Sequence, residues 1–413
     1  MITGLTIKRF RCFEDFHIAN LAPVTILGGK NNVGKSSVLE AIWVQNAMLN
    51  ANSFAFLMNL HNELFGQNIQ PGRVWDPLFF NGAQSDCFEI DYERAEVPDQ
   101  SGGEPSPATG DLPGADKGVS GQNEQKKNTD KDVLKVSKNY GEYATYKNST
   151  SGFTPAPEYN LNFAGQRPYF SVQLELKGRG YENSGRCSIN ENSIVFIPDL
   201  RDRGGQGVRN TGEVQSVPLW PYENIALYKN VTGNSYNNAA EWISKINLVK
   251  EKEAVVLETM RLFDPEINSI APVIDQGASS VYVRLKSSQG SEKVVSANYM
   301  GDGFNKVLQL LLTVLMMPDG ILLIDEFENG LHYEIYEEVL NKLFTVADKV
   351  HCQIIMTSHN RDLIETAQSV MKDLSLSDKL CYQRLELDSG RHKTVVYQGA
   401  DLELPFKANL EIR

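Results

Sequence analysis

An α/β fold is predicted: a parallel sheet with flanking helices, joined to a mixed β-sheet lobe and interrupted by a β-rich and helical insertion. Three observations carry it. Residues 24–27 (Val-Thr-Ile-Leu) form a short apolar run that enters the loop Gly29-Lys30-Asn31-Asn32-Val33-Gly34-Lys35-Ser36, and Ser37 then opens a helical stretch. Residues 321–324 (Ile-Leu-Leu-Ile) end in Asp325-Glu326, and residues 353–357 end in Ser358-His359-Asn360. Continuous apolar runs of this length suit strands buried on both faces, as parallel strands are, and the polar residues that follow them fall at the edge where such sheets bind ligands.

In chain order, residues 1–18 read as a hairpin, with Leu5, Ile7, Phe10, Phe13, Phe16 and Ile18 apolar and Lys8, Arg9 and Arg11 between them. The strand into the glycine loop and a helix to about residue 50 follow. Residues 54–80 read as loop plus a broken helix, and 88–94 as a strand. Residues 97–132 carry Gly, Pro, Ser, Asp, Asn and Lys with almost no aromatic residue, too little apolar surface to offset the entropy of ordering. Strand-like segments follow at 133–136, 143–146, 169–176 and 193–197. Residues 223–263 read as helix-rich, with 239–248 and 251–262 the best candidates, stopped by Asp264-Pro265. Strands are predicted at 267–274, 280–285 and 293–296, the last two as a hairpin across Gln289-Gly290. A helix over 304–316, one over 361–371, and apolar segments at 380–382 and 385–387 complete the chain. This divides it at 1–95, 96–132, 133–254 and 255–413.

Composition narrows the class. The 413 residues are 41% hydrophobic and 22% charged, as in an ordinary globular chain. The longest apolar run, 307–317, contains Gln309 and Thr313 and is short for a membrane span. The first ten residues alternate like a strand and lack a signal-peptide layout. Five scattered cysteines without a CxxC pair point to reduced thiols and a cytoplasmic chain. A formal net charge of −12 argues against general affinity for nucleic acid, though not against a local basic groove.

The chemistry sits in the three loops. Gly29 to Ser36 fits the phosphate-binding pattern of a glycine, four residues, then Gly-Lys-Ser. Its amides and the helix N-terminus would face phosphate oxygens, Lys35 would reach the β- and γ-phosphates, and Ser36 would hold Mg²⁺. Asp325 would complete the Mg²⁺ shell, Glu326 would polarise an attacking water, and His359 would sense the γ-phosphate.

Taken together, Phe10-Arg11-Cys12-Phe13, the glycine loop with Asn31, Asp325-Glu326, Glu328-Asn329-Gly330-Leu331-His332 and Ser358-His359 resemble the ABC-type ATPases. Within them the chain is similar to the RecF and SMC branch, and most of all to the bacterial OLD-like AAA ATPases, over residues 1–50 and from about 255 onward. The resemblance implies a P-loop fold of ABC type, ATP and Mg²⁺ as cofactors, and a head-to-head homodimer with ATP between one copy's glycine loop and the other's signature motif. The signature candidate is Asn298-Tyr299-Met300-Gly301-Asp302-Gly303-Phe304, where Gly301 stands in the place of the usual serine. Gly301 and Gly303, with Lys306, are the implied contacts to the partner's nucleotide, and Arg11 the implied arginine near it. Gln67, Gln70 and Gln84 are candidates for the glutamine loop.

No heptad repeat between residues 50 and 255 suggests a long coiled coil. About 50 residues follow His359, too few for the metal-dependent TOPRIM nuclease domain of OLD proteins. The expected role is an ATP-driven switch controlling a separate effector, a nuclease or toxin, in prokaryotic anti-phage defence. The alternative is a RecF-like clamp on DNA. A third class, a binding module without turnover, is disfavoured by the presence of both Lys35 and Glu326.

Overall fold

The computed structural model describes residues 1–47, 76–85, 87–94, 132–139, 171–178, 181–190, 193–198, 225–228, 239–275, 278–287 and 290–399. Its first sheet begins with the predicted hairpin, β1 (Ile2–Phe10) and β2 (Phe13–Ile18). The loop strand β3 (Val24–Gly29) leads into α1 (Lys35–Ala47). Strands β4 (Cys87–Arg94), β5 (Asp132–Asn139), β6 (Ser171–Gly178), β7 (Tyr181–Asn190) and β8 (Ser193–Pro198) then extend the first sheet to seven antiparallel strands, in the order β2-β1-β4-β5-β6-β7-β8. The β-rich part of the expected insertion is therefore a continuation of the N-terminal lobe's own sheet.

The second sheet carries the glycine loop. It contains β9 (Ile225–Tyr228), β13 (Ile321–Ile324), β14 (Gln353–Thr357), β15 (Leu380–Asp388) and β16 (Arg391–Gln398), in the order β16-β15-β3-β14-β13-β9. All neighbours run parallel except the edge pair β15–β16. Between them come α2 (Ala239–Ile246), α3 (Lys250–Met260), the three-stranded sheet β10 (Ile267–Asp275), β11 (Ala278–Lys286) and β12 (Glu292–Ser296), and then α4 (Asp302–Met316). Helices α5 (Tyr336–Lys349) and α6 (Arg361–Asp373) flank β14 in sequence.

Strand alternation sorts the central sheet's side chains into two cores. Leu27, Ile321, Leu323, Ile355 and Leu385 face the first core, which contains α1 and the aromatic-rich first sheet. Ile26, Leu322, Ile324, Ile354, Met356 and Tyr382 face the second, built from α2 to α6. Burial on both sides is why these strands read as unbroken apolar runs.

Several expectations are corrected. Ile225–Tyr228, within a stretch read as helix-rich, is a strand paired in parallel with β13; four residues are too few to display a period. The two segments at 380–382 and 385–387 are one strand, and the supposed tail after them contains β16. The polar strand β7 was not foreseen, because it lacks the apolar alternation that marks a strand. Of the stretch at 54–80 read as loop plus a broken helix, residues 54–75 fall outside the described residues and Asp76–Leu78 is a short 3₁₀ turn; the low-complexity segment up to residue 131 and the strand at 143–146 also fall outside them. No helix among the described residues is long and apolar enough to cross a membrane.

Candidate nucleotide-binding site

The glycine loop is shaped by three positive φ angles within six residues, at Gly29 (125°), Asn32 (63°) and Gly34 (96°). Two are glycines for a steric reason as well. A Cβ on Gly29 would lie 2.3 Å from the Leu385 carbonyl oxygen, and one on Gly34 would lie 2.6 Å from Phe13 Cζ and 2.8 Å from Cys12 Sγ. The loop thus curls into a concave run of backbone amides at the start of α1, the geometry that takes an anion. Lys30, Asn31 and Asn32 are exposed on its rim, while Val33 is buried and pins it from below. Lys35 lies across the loop, its Nζ donating to the carbonyls of Gly29 (2.8 Å) and Lys30 (2.9 Å). Burial lowers its pKa, and the carboxylates of Glu328, Asp325 and Glu326 oppose that shift. Ser37 is hydrogen-bonded to the Cys12 thiol, which burial holds above its ordinary value.

Because β3 and β13 flank β14 in the sheet, the ends of the three strands converge. Ser36 Oγ donates to Asp325 Oδ1 at 2.9 Å, across 289 residues of sequence. Thr357 Oγ1 donates to the same oxygen at 2.7 Å and accepts from the Glu326 amide at 2.8 Å. Glu326 has φ of 51°, and its carboxylate accepts from Asn329 Nδ2. The Phe327 amide bonds the Thr357 carbonyl at 3.1 Å, with its ring fully buried. Ser358 donates its amide to the Leu27 carbonyl (3.0 Å), which sets the next residue, His359, beside the loop strand. Glu328 Oε1 accepts from the His359 amide (2.9 Å) and faces its Nδ1 at 2.8 Å.

Not all predicted residues join this group. Arg11 is turned away into the first lobe, its Nε 2.5 Å from Glu40 Oε2 of α1, with both side chains largely buried. Gly301 (φ 92°) caps α4 at the surface, and Gly303 packs so closely on the following loop that a Cβ would lie 2.6 Å from the Gly330 carbonyl. Lys306, expected alongside them toward a partner's nucleotide, points inward instead. It is 2% exposed, and its Nζ donates to the carbonyls of Glu326 (3.1 Å) and Asn329 (2.8 Å). Burial pushes its pKa down to about 8, against the pull of Glu328, Glu326 and Asp325. Of the glutamine-loop candidates, Gln84 ends a short 3₁₀ turn, and Gln67 and Gln70 fall outside the described residues.

Thr357, Glu328 and the Arg11–Glu40 pair are the additions the structure makes. A faint signal existed for two of them: Thr357 directly precedes Ser358-His359, and Glu328 lies two residues past Glu326.

The donor set fits a nucleotide with Mg²⁺. The loop offers amides and an ammonium to phosphates, while Ser36 and Asp325 offer hard oxygens already placed together. No cluster of three His, Cys, Asp or Glu side chains that could hold a metal ion is found among the described residues.

A glycine loop leading from a central parallel strand and an Asp-Glu pair ending the strand two places away are the arrangement of a P-loop ATPase domain. Two stretches of the chain match models of such domains: residues 1–141 the AAA ATPase domain, and residues 241–365 a AAA domain described as a putative AbiEii toxin of a type IV toxin–antitoxin system. An "ATP/GTP phosphatase" of Helicobacter pylori (strain ATCC 700392 / 26695) is 21% identical over 413 residues, covering 98% of each chain. Among solved structures, an SMC head bound to the C-winged helix domain of ScpA is similar at 12% identity and a TM-score of 0.46, covering 98% of this chain and 99% of that one. The SMC head domain from Thermotoga maritima is similar at 13% identity and a TM-score of 0.35, covering 95% and 98%.

Proposed function

We propose that the protein hydrolyses ATP to ADP and phosphate, and that binding and hydrolysis switch a homodimer which controls a separate effector protein. The observation that carries the reading is the Ser36–Asp325 bond with Glu326 held alongside by Thr357. It unites the phosphate loop and an acidic strand end from opposite ends of the chain, an arrangement with little structural purpose apart from nucleotide chemistry. In this reading the loop amides and Lys35 bind the β- and γ-phosphates. Ser36 and Asp325 hold Mg²⁺, which would neutralise phosphate charge when bound. Glu326 orients water in line with the γ-phosphorus and takes its proton, and His359 donates to a γ-phosphate oxygen. In the same reading Gly301 and Gly303, at the start of α4, meet the nucleotide of a second copy.

The name "ATP/GTP phosphatase" carried by the Helicobacter pylori relative supports the hydrolytic part. The match to a toxin–antitoxin ATPase model supports an effector-linked role in defence, of the OLD-like kind. Phosphate release by wild type, Lys35→Ala and Glu326→Gln tests the chemistry, with turnover expected in the first alone. Equal release by all three defeats the enzymatic reading. Light scattering of Glu326→Gln with ATP and Mg²⁺ tests the switch: a doubled mass is expected, and an unchanged mass removes the dimer.

A further inference from the structure

Glu328 lies in the turn after the acidic strand end and is unused by the mechanism above. It is 7% exposed, so the cost of removing a carboxylate from water must be offset by the contacts it makes. Those contacts are specific. One oxygen, Oε1, meets both the backbone amide of His359 (2.9 Å) and its ring Nδ1 (2.8 Å). The other, Oε2, is buried and has no hydrogen-bond partner among the described residues. Phe327, fully buried, and the Leu331 amide, bonded to the Glu328 carbonyl at 3.1 Å, hold the turn that aims it.

A carboxylate facing Nδ1 decides where a histidine keeps its proton. With Nδ1–H directed at Glu328, the ring is fixed in rotation and Nε2 is the nitrogen turned outward, since half of the side chain remains exposed. When Nε2 also takes a proton to meet a phosphate oxygen, the buried carboxylate compensates the ring's positive charge. We propose that Glu328 is a positioning residue that fixes the rotamer and the Nδ1–H tautomer of His359, so that the loop after the acidic strand and the histidine move as one unit. The proposal rests on the ATPase reading for its consequence in turnover, although the tautomer itself does not depend on it.

The test uses the full chain with ¹⁵N-labelled imidazole rings, the His359 signal being assigned by its loss in His359→Ala. Wild type is expected to show a protonated Nδ1 in the neutral ring. Glu328→Ala is expected to revert to the Nε2–H form and to lose about 10–100-fold in kcat, with nucleotide affinity changed less than about threefold. Glu328→Gln, which keeps an acceptor at Oε1, is expected to retain the Nδ1–H form and most of the turnover. In the His359→Ala background Glu328→Ala should cost nothing further, because groups acting as one unit are non-additive. A wild-type ring protonated at Nε2 overturns the proposal even if the alanine variant fails to fold, and so does an equal loss in both backgrounds. Absence of hydrolysis in wild type would instead remove the ATPase reading and leave the tautomer measurement to decide this one.

Discussion

Thr357 is the side chain whose removal most sharply separates the site from its scaffold. It is completely buried, and its hydroxyl does two jobs: donating to Asp325 Oδ1 at 2.7 Å and accepting from the Glu326 amide at 2.8 Å. Thr357→Val keeps the shape and removes only the hydroxyl. An amide left without its acceptor costs about 1–3 kcal/mol, and a bond to a carboxylate contributes about 1.5–3 kcal/mol. Asp325 retains Ser36 as a donor, so the lower halves of those ranges apply, giving a loss of about 2.5–4 kcal/mol in unfolding free energy by urea titration. The catalytic effect should be larger in proportion. Glu326 occupies a left-handed conformation (φ 51°) that costs about 1–2 kcal/mol for a residue with a Cβ. Without the bond to Thr357 its backbone can relax, and its carboxylate then swings away from the loop. Phosphate release should fall about 10–100-fold, whereas Thr357→Ser, which restores the hydroxyl, should stay within about threefold of wild type. Equal turnover in the valine and serine variants would refute the idea that this hydroxyl sets the acidic pair.

Gly34→Ala places a Cβ against Phe13 and Cys12 at a φ that disfavours it; binding of a fluorescent ATP analogue should weaken at least about tenfold, and the strain should lower unfolding stability by about 1–3 kcal/mol. Arg11→Met takes the guanidinium away from the buried Glu40 carboxylate and should destabilise by up to about 3–5 kcal/mol, with Arg11→Met/Glu40→Gln recovering most of it. Loss of nucleotide affinity without loss of stability would instead make Arg11 a nucleotide ligand. For Lys306, the folded value of about 8 lies below the ordinary 10.5, so the unfolded state holds more protons between those two values and stability rises with pH across that window. The stability of wild type relative to Lys306→Met should therefore increase from pH 7 to pH 10 in denaturant titrations; a flat difference would show that the lysine is not strained by burial.

The parts legible from sequence were those where periodicity and loop chemistry coincide. The hairpin of β1 and β2, the glycine loop between a strand and a helix, and the acidic end of β13 could all be read, because apolar runs buried on both faces leave an unambiguous pattern. The candidate residues gathered at the three strand ends lie within single loops, where spacing is read directly. What could not be read depends on direction. Arg11 and Lys306 both lie in suitable positions along the chain, yet one turns to Glu40 and the other into the protein beneath the acidic loop. Linear order does not encode which way such side chains point. The roles of Thr357 and Glu328 could not be read for the complementary reason: their partners lie 32 and 31 residues away, and only adjacency of β13 and β14 brings them together.

The placement of β3 between β14 and β15 has a consequence for biosynthesis. The phosphate loop leaves the ribosome more than about 300 residues before the strands on either side of its own, the later of which ends at Asp388. At about 5–20 residues per second, the loop strand waits roughly 20–70 s with both edges uncovered. Nucleotide therefore cannot act as a template for the nascent chain, since Asp325 and Thr357 arrive only at the end of that interval. Production of active protein should depend on whatever shields β3 during those seconds more than on the nucleotide concentration around it.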